Sequence, residues 1–229
     1  MFREDYIMRM IRQLSQVLTR VLFQKDSKQY QDALEEIRHN GKLFLGLDLN
    51  AIHTVTYDDL QEALRVRNAH DADHISLVAE LLRHQGECFD FEGRPEAARQ
   101  SYILALDLYL DLFAARQRAR LADLTARIDL LLDRLDPLAL DADAQIAVFR
   151  FFDAEGRYAD AEDLLFHLAD EHPTPELYAE GVAFFERLLG KSYRYLKAGN
   201  LPYEEVNEGL AAFRQKMEAG SSKTGGNPR

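Results

Sequence analysis

The chain has 229 residues, 47% of them hydrophobic, which is enough to bury a substantial core and excludes a disordered protein. Acidic residues outnumber basic ones by 39 to 28, and the net charge of −11 excludes a nucleic acid partner unless a local basic patch exists. The single cysteine, Cys88, excludes an internal disulfide and is typical of a reducing compartment, so we expect a cytoplasmic protein.

The N-terminal segment carries a wide apolar stripe at helical spacing, which predicts a long amphipathic helix. The stripe consists of Phe2, Tyr6, Met10, Leu14, Val17 and Val21. Charged residues at Arg9, Arg12 and Arg20 interrupt the apolar run, so we expect neither a secretory signal nor a membrane span. The helix would cap the core of the fold. Alternatively, it would attach to a membrane surface, or pack through Ile7 and Ile11 across a homodimer seam.

Three segments share a short pattern that predicts a tight turn between two helices, and they are residues 27–33, 92–98 and 155–161. Each places Lys28, Gly93 or Gly156 where a left-handed backbone is needed, for which glycine is best suited. An alanine five residues later lets the second helix lie close on the first. Because a helical hairpin cannot bury its apolar face alone, repeated hairpins predict an all-α fold of stacked antiparallel hairpins.

The second segment lies in a pattern that resembles a tetratricopeptide repeat, whose period is roughly 34 residues. The matching positions are Leu82, Gly86, Phe89, Gly93, Ala98, Tyr102 and Ala105. In this resemblance Gly86 and Ala98 let the paired helices touch, while Phe89 and Tyr102 fill the space between them. The third segment keeps Phe152, Gly156, Tyr158, Ala161 and Pro173, and the first keeps only Tyr30, Ala33 and Ile37.

The spacing of the turns indicates that the repeats are not contiguous. Lys28 and Gly93 are 65 residues apart, and Gly93 and Gly156 are 63 apart, which is close to two tetratricopeptide units. The resemblance therefore implies a short, divergent tetratricopeptide-like α-solenoid or bundle. In its opening residues, 1–11, and over most of its length the chain also resembles a family of uncharacterised bacterial proteins of this size.

Capping residues and prolines place the remaining helices and the boundaries. Thr56 followed by Asp59 predicts a helix start, and Asp73 predicts the cap of a helix over residues 75–91. Pro137 interrupts the chain, which divides it into an N-terminal half, residues 1–136, and a C-terminal half, residues 137–218.

Two further helices are predicted in the C-terminal half. Thr174, followed by proline, predicts a helix that runs to Lys197, and Pro202 predicts the start of a last helix ending near Met217. The small and polar residues 219–229 cannot bury apolar surface, which predicts a disordered tail.

Motifs for catalysis or for metal binding are weak. His70 and His74 have the spacing of two metal ligands on one helical face, but no third ligand follows at a diagnostic spacing. Asp107 and Asp111 have the spacing of a carboxylate pair, which is typical of a solvated helix face. We therefore expect no enzymatic activity, no metal and no cofactor.

The tetratricopeptide resemblance implies a partner-binding groove lined by the first helix of each unit. By family position, the lining residues are Arg83, Glu87 and Asp90 in the second copy, and Ile146, Arg150 and Asp153 in the third. Arg83 and Arg150 would bind a carboxylate on the partner, because a guanidinium group matches a carboxylate with two parallel hydrogen bonds.

The sequence thus favours a non-enzymatic module that binds a protein or peptide in a helical-repeat groove, as an adaptor or scaffold. One alternative is a structural protein that self-associates as a homodimer through its N-terminal helix. Another, from a different class, is an enzyme that uses a small ligand or a metal in a helical cavity.

Overall fold

The computed structural model describes residues 2–26, 28–66, 71–117 and 123–224, which form α-helices, short 3-10 helices and their connections. The α-helices are α1 (Phe2–Asp26), α2 (Tyr30–Phe44), α3 (Tyr57–Val66), α4 (Ala72–Phe91), α5 (Pro95–Ala114), α6 (Leu124–Leu132), α7 (Ala142–Glu155), α8 (Tyr158–Glu171), α9 (Pro175–Leu189), α10 (Tyr193–Ala198) and α11 (Tyr203–Thr224). The 3-10 helices span Leu49–Thr54 and Pro137–Ala139. No strand occurs in the described ranges, and the predicted all-α fold class is confirmed.

All three predicted turns contain a left-handed residue at the predicted position. The φ angle is 60° at Lys28, 70° at Gly93 and 78° at Gly156. Each residue follows one helix and precedes the next by a short distance, so each turn folds two consecutive helices into a hairpin. The pairs are α1 with α2, α4 with α5, and α7 with α8.

The chain divides into two compact units, Met1–Asp136 and Pro137–Arg229. In the first unit α4 and α5 form the most extensive helix pair. Gly86 brings α4 so close to α5 that a Cβ atom at this position would lie 2.4 Å from Cε1 of Tyr102. Around this contact Phe89 is fully buried, so the helices meet as the repeat pattern predicts.

The other helices of the first unit surround this hairpin. α1 packs against both α2 and α4, and α6 packs against α5. α3 is tied to α5 by Tyr57, whose hydroxyl donates a hydrogen bond to Asp111. At its start Thr56 and Asp59 exchange hydrogen bonds, since the Thr56 amide donates to Asp59 Oδ2 and the Asp59 amide donates to Thr56 Oγ1, at 3.0 and 3.1 Å.

The second unit consists of the α7–α8 hairpin and a second pair, α9 with α11. Its core is rich in phenylalanine. Phe184 meets Phe149 and Phe185 edge to face, with ring centroids 5.4 and 5.0 Å apart. Gly181 brings α9 against Phe213 of α11, where an added Cβ atom would lie 2.2 Å from Cδ1 of the ring. Like the contact between α4 and α5, this one places a glycine of one helix against an aromatic ring of the other.

Three predicted boundaries need correction. α4 begins at Ala72 because Asp71, rather than Asp73, is its cap, and Asp71 Oδ1 accepts the His74 amide at 2.9 Å. The helix predicted to run to Lys197 ends at Leu189, where the Gly190 and Lys191 amides donate to carbonyls of the last turn, and α10 follows separately.

The last helix differs from the sequence expectation as well. α11 continues to Thr224, and so includes the first residues of the predicted tail. Residues 225–229 of that tail lie outside the described residues. No described helix is long and apolar enough to cross a membrane.

Candidate functional site

The predicted groove residues of α4 do not line an open groove. Arg83 retains only 6% of its accessible surface, because α1 packs over this face of α4. The face that would be the inner surface of a repeat array is covered here by the N-terminal helix. The Arg83 guanidinium is therefore bonded inside the unit and cannot reach a partner from this position.

Arg83 belongs to a network of charged side chains that we call the α4 cluster, which consists of Lys25, Glu80, Arg83, His84, Glu87, Tyr109 and Arg127. Arg83 donates to Glu80 Oε2 at 2.7 Å and to Glu87 Oε1 at 2.6 Å. Lys25 of α1 donates to the other oxygen of Glu87. Since Lys25 stands on α1 while Arg83 and Glu87 stand on α4, these bonds join the two helices.

Glu80 receives donors from two further helices. The Tyr109 hydroxyl of α5 donates to Glu80 Oε1 at 2.8 Å, and Arg127 Nε of α6 lies 2.7 Å from the same oxygen. Although burial alone would raise the pKa of Glu80, the charges and donors of Arg83, Tyr109 and Arg127 hold it below its usual range. Glu80 is thus a carboxylate compensated within the fold.

The His84 ring is in contact with three charged neighbours. Arg83 Nη2 lies 2.8 Å from His84 Nε2. Glu87 Oε2 and Lys25 Nζ lie 2.8 and 2.7 Å from Nδ1. Burial, with the positive charges of Arg83 and Lys25, lowers the pKa of His84, although Glu87 opposes the shift. The ring is therefore neutral near neutral pH.

Glu87 is half-buried, and burial would raise its pKa. Hydrogen bonds from His84 and Lys25, with the charge of Arg83, overcome that effect and lower the pKa of Glu87 to about 2. A carboxylate this acidic is a weak base. The α4 cluster is thus suited to joining helices rather than to moving protons.

The third predicted residue of α4, Asp90, is exposed. It accepts a hydrogen bond from the Tyr102 hydroxyl at 2.6 Å and lies 3.8 Å from Arg134 of the connection after α6. Of the three α4 residues, Asp90 is therefore the only one open to a partner.

The predicted residues of α7 lie at the surface of the second unit. Arg150 is exposed and binds Glu180 of α9 with two hydrogen bonds of 2.7 and 3.0 Å. Asp153 accepts a hydrogen bond from Arg187 of α9. Ile146 is partly exposed on the same helix. The two ion pairs join neighbouring first helices, so a partner carboxylate would have to displace Glu180 from Arg150.

The second unit also carries an exposed basic surface that the sequence did not predict. We call it the α10 surface, and it consists of Lys191, Tyr193, Arg194, Tyr195 and Lys197. Tyr193 and Tyr195 are 71% and 63% exposed. Residues 191–203 contain three basic residues and no acidic one, in a chain of net charge −11. No acidic side chain within the described ranges forms an ion pair with these three cations.

The α10 surface is held on the unit by its neighbours. Leu196 and Leu201 are buried beneath it. The Gly199 carbonyl accepts a hydrogen bond from the Ala159 amide at 3.0 Å, and a Cβ atom at Gly199 would lie 2.3 Å from the Tyr158 ring. Because backbone and apolar contacts anchor the segment, the exposed tyrosines are presented in a defined arrangement.

A family model matches residues 1–218, and its description is "Family of unknown function (DUF6483)". The chain belongs to the DUF6483 family. No curated protein and no solved structure matches the chain.

The described part of this DUF6483 protein contains no group of three or more histidine, cysteine or acidic side chains placed to hold a metal. His74 is buried, and burial lowers its pKa, while His70 lies outside the described residues. Burial raises the pKa of the Cys88 thiol to about 11, so this cysteine is not a reactive thiolate. The side chains of Ile7 and Ile11, the predicted dimer contacts, also lie outside the described part of the structure.

Proposed function

We propose that this DUF6483 protein is a cytoplasmic, non-enzymatic interaction module, built as a tetratricopeptide-like array, which binds an acidic segment of a partner protein on the α10 surface. The observation that carries the proposal is the exposure of Tyr193 and Tyr195 beside three cations that form no ion pair with an acidic side chain in the described part of the chain. Tyrosine and arginine are enriched at the centres of protein interfaces, because they combine a large contact area with hydrogen-bonding groups.

Charge favours an acidic partner. The α10 surface is positive, whereas the chain as a whole is negative. An acidic segment would be repelled by most of the protein and attracted to the α10 surface, so the charge distribution directs the segment to this surface. The backbone of the surface is also anchored, so a partner would not have to order the segment itself when it binds.

The first experiment measures the affinity of the intact chain for short synthetic peptides in which glutamate progressively replaces glutamine. We expect affinity to rise with glutamate content. Tyr193→Ala combined with Tyr195→Ala should weaken binding at least about tenfold, because truncation of a central interface tyrosine costs more than about 1.4 kcal/mol. The matched control is Tyr193→Phe with Tyr195→Phe, which keeps both rings and should retain most of the affinity.

A second pair of variants tests the charge. Arg194→Glu with Lys197→Glu should abolish the preference for glutamate peptides. Arg214→Glu with Lys216→Glu makes the same change in charge on α11, where both cations already have acidic partners, and should leave the preference intact. Equal binding of glutamine and glutamate peptides would contradict the proposal, as would binding only to anionic vesicles or to RNA.

A further inference from the structure

The second unit carries a group of carboxylates close to the α10 surface. We call it the acidic surface, and it consists of Glu162 and Asp163 of α8 with Glu205 and Glu208 of α11, all of which line a depression of about 420 Å³. Glu162 is partly buried, and the other three are exposed. In the part of the second unit that the structure describes, no cation forms an ion pair with these four carboxylates. The depression is therefore negative and uncompensated.

The absence of a side chain at Gly209 brings the carboxylates of the two helices together. A Cβ atom at this position would lie 3.1 Å from Oε1 of Glu162 and 2.4 Å from the Phe185 ring. The Glu162 carboxylate of α8 therefore lies close to the backbone of α11. Because like charges repel more strongly at a partly buried site than in bulk water, a cation supplied by another molecule would be favourable here.

The α10 surface and the acidic surface lie at the same end of α8. The Ala159 amide at the start of α8 donates to the Gly199 carbonyl, which follows α10, and Glu162 stands three residues after Ala159. One copy thus presents a positive and a negative surface side by side. Among the described residues no ion pair joins the two surfaces, so the charges of both remain open to a second molecule.

We propose that the α10 surface binds the acidic surface of a second copy of this chain, so that the protein forms a dimer with two-fold symmetry. This inference rests on the proposed function, because it names the acidic partner of the α10 surface. In a two-fold dimer the contact is made twice, since the positive surface of each copy meets the negative surface of the other. The Arg194 guanidinium of one copy would pair with Glu205 or Glu208 of the other, which offsets the repulsion among the carboxylates.

Sedimentation velocity of the intact chain measures its mass in solution. We expect a dimer at low salt that dissociates at about 1 M salt, where the Debye length falls to about 3 Å and exposed charges are screened. A monomer at low salt would overturn the proposal. If glutamate peptides still bound the α10 surface of that monomer, only the identity of the partner would be wrong. If the peptides did not bind, the proposed function would fail as well.

Reversed charges test the contact itself. Arg194→Glu with Lys197→Glu reverses the α10 surface, and Glu205→Lys with Glu208→Lys reverses the exposed part of the acidic surface on α11. Each double variant should weaken dimerisation at least about tenfold. An equimolar mixture of the two should form a mixed dimer, because both contacts then join opposite charges. This rescue would also show that both variants fold.

Arg214→Glu with Lys216→Glu is the matched control, since it makes the same change in charge on α11 outside both surfaces. This control should remain a dimer. An undiminished dimer in either reversed variant would place the interface elsewhere and refute the assignment. A mixture of the two reversed variants that stays monomeric would refute it as well.

Discussion

The two units use similar helical hairpins but treat charged residues in opposite ways. In the first unit Arg83 is buried beneath α1 and bonded to Glu80 and Glu87. In the second unit Arg150, which occupies the repeat position of Glu87, is exposed and pairs with Glu180 at the surface. The difference teaches that a covering helix, rather than the repeat position itself, decides whether such a residue is available for binding.

The two units also differ in what fills their cores. The core of the second unit is filled by phenylalanine rings, and the Phe185 ring contacts both Phe184 and Phe213. The first unit instead buries a polar network between α1 and α4. A polar core restricts which helix can cover α4, because only a helix that places Lys25 beside Glu87 completes the network.

The largest expected effect separates the two arginines. Arg83→Met should reduce the free energy of unfolding by about 3 to 5 kcal/mol, because it leaves Glu80 and Glu87 buried with one donor fewer each. Arg150→Met removes an exposed pair and should cost less than about 1 kcal/mol. Urea denaturation followed by circular dichroism gives both values. Similar costs for the two variants would mean that α1 does not cover α4 as described.

A smaller effect tests the likeness between the hairpins. Gly86→Ala and Gly181→Ala should each destabilise the protein by about 1 to 3 kcal/mol, because the new Cβ atoms would overlap the rings of Tyr102 and Phe213. Gly190→Ala is the control, since the nearest atom to its added Cβ is 3.5 Å away and its backbone is helical. Thermal melting is sufficient to compare the three. If Gly181→Ala behaves like Gly190→Ala, the α9–α11 pair does not use the close contact of α4 with α5.

Local chemistry made the turns and the first close contact predictable. Lys28, Gly93 and Gly156 could be placed because a tight turn between helices requires a left-handed residue. Gly86 could be paired with Tyr102 because the two are 16 residues apart in a recognisable pattern. Gly181 and Phe213 form the same contact, but α10 lies between their helices and the separation grows to 32 residues, so the pattern was not recognised.

The burial of Arg83 could not be inferred because it depends on a distant helix. Glu80, Arg83, His84 and Glu87 form a charged stripe at helical spacing, which is usually a solvated face. Only the packing of α1, together with Tyr109 of α5 and Arg127 of α6, turns this stripe inward. The α10 surface has a local signal, which is three cations and two tyrosines without an acidic residue, but the sequence predicts one longer helix through this segment and so hides its separate exposure.

The smallest expected effect is a pH dependence confined to the second unit. Glu162 of α8 is partly buried, and it faces Asp163 of its own helix and Glu205 and Glu208 of α11. Burial and the neighbouring carboxylates raise the pKa of Glu162 from 4.5 to about 7. The folded protein therefore retains a proton that the unfolded chain releases between these values, so this residue lowers stability as the pH rises through that window.

Replacement of Glu162 should remove this loss of stability at high pH. Glu162→Gln should stabilise the protein by about 1 to 2 kcal/mol at pH 8, once the shift is discounted for solvent screening, and should have little effect near pH 4, where the carboxyl is protonated in both states. Glu171→Gln, at the exposed end of the same helix, changes the same charge and serves as the control. The measurement is urea denaturation at both pH values. A gain of equal size at the two pH values would mean that Glu162 acts through packing, and an equal gain in Glu171→Gln would mean that net charge alone is responsible.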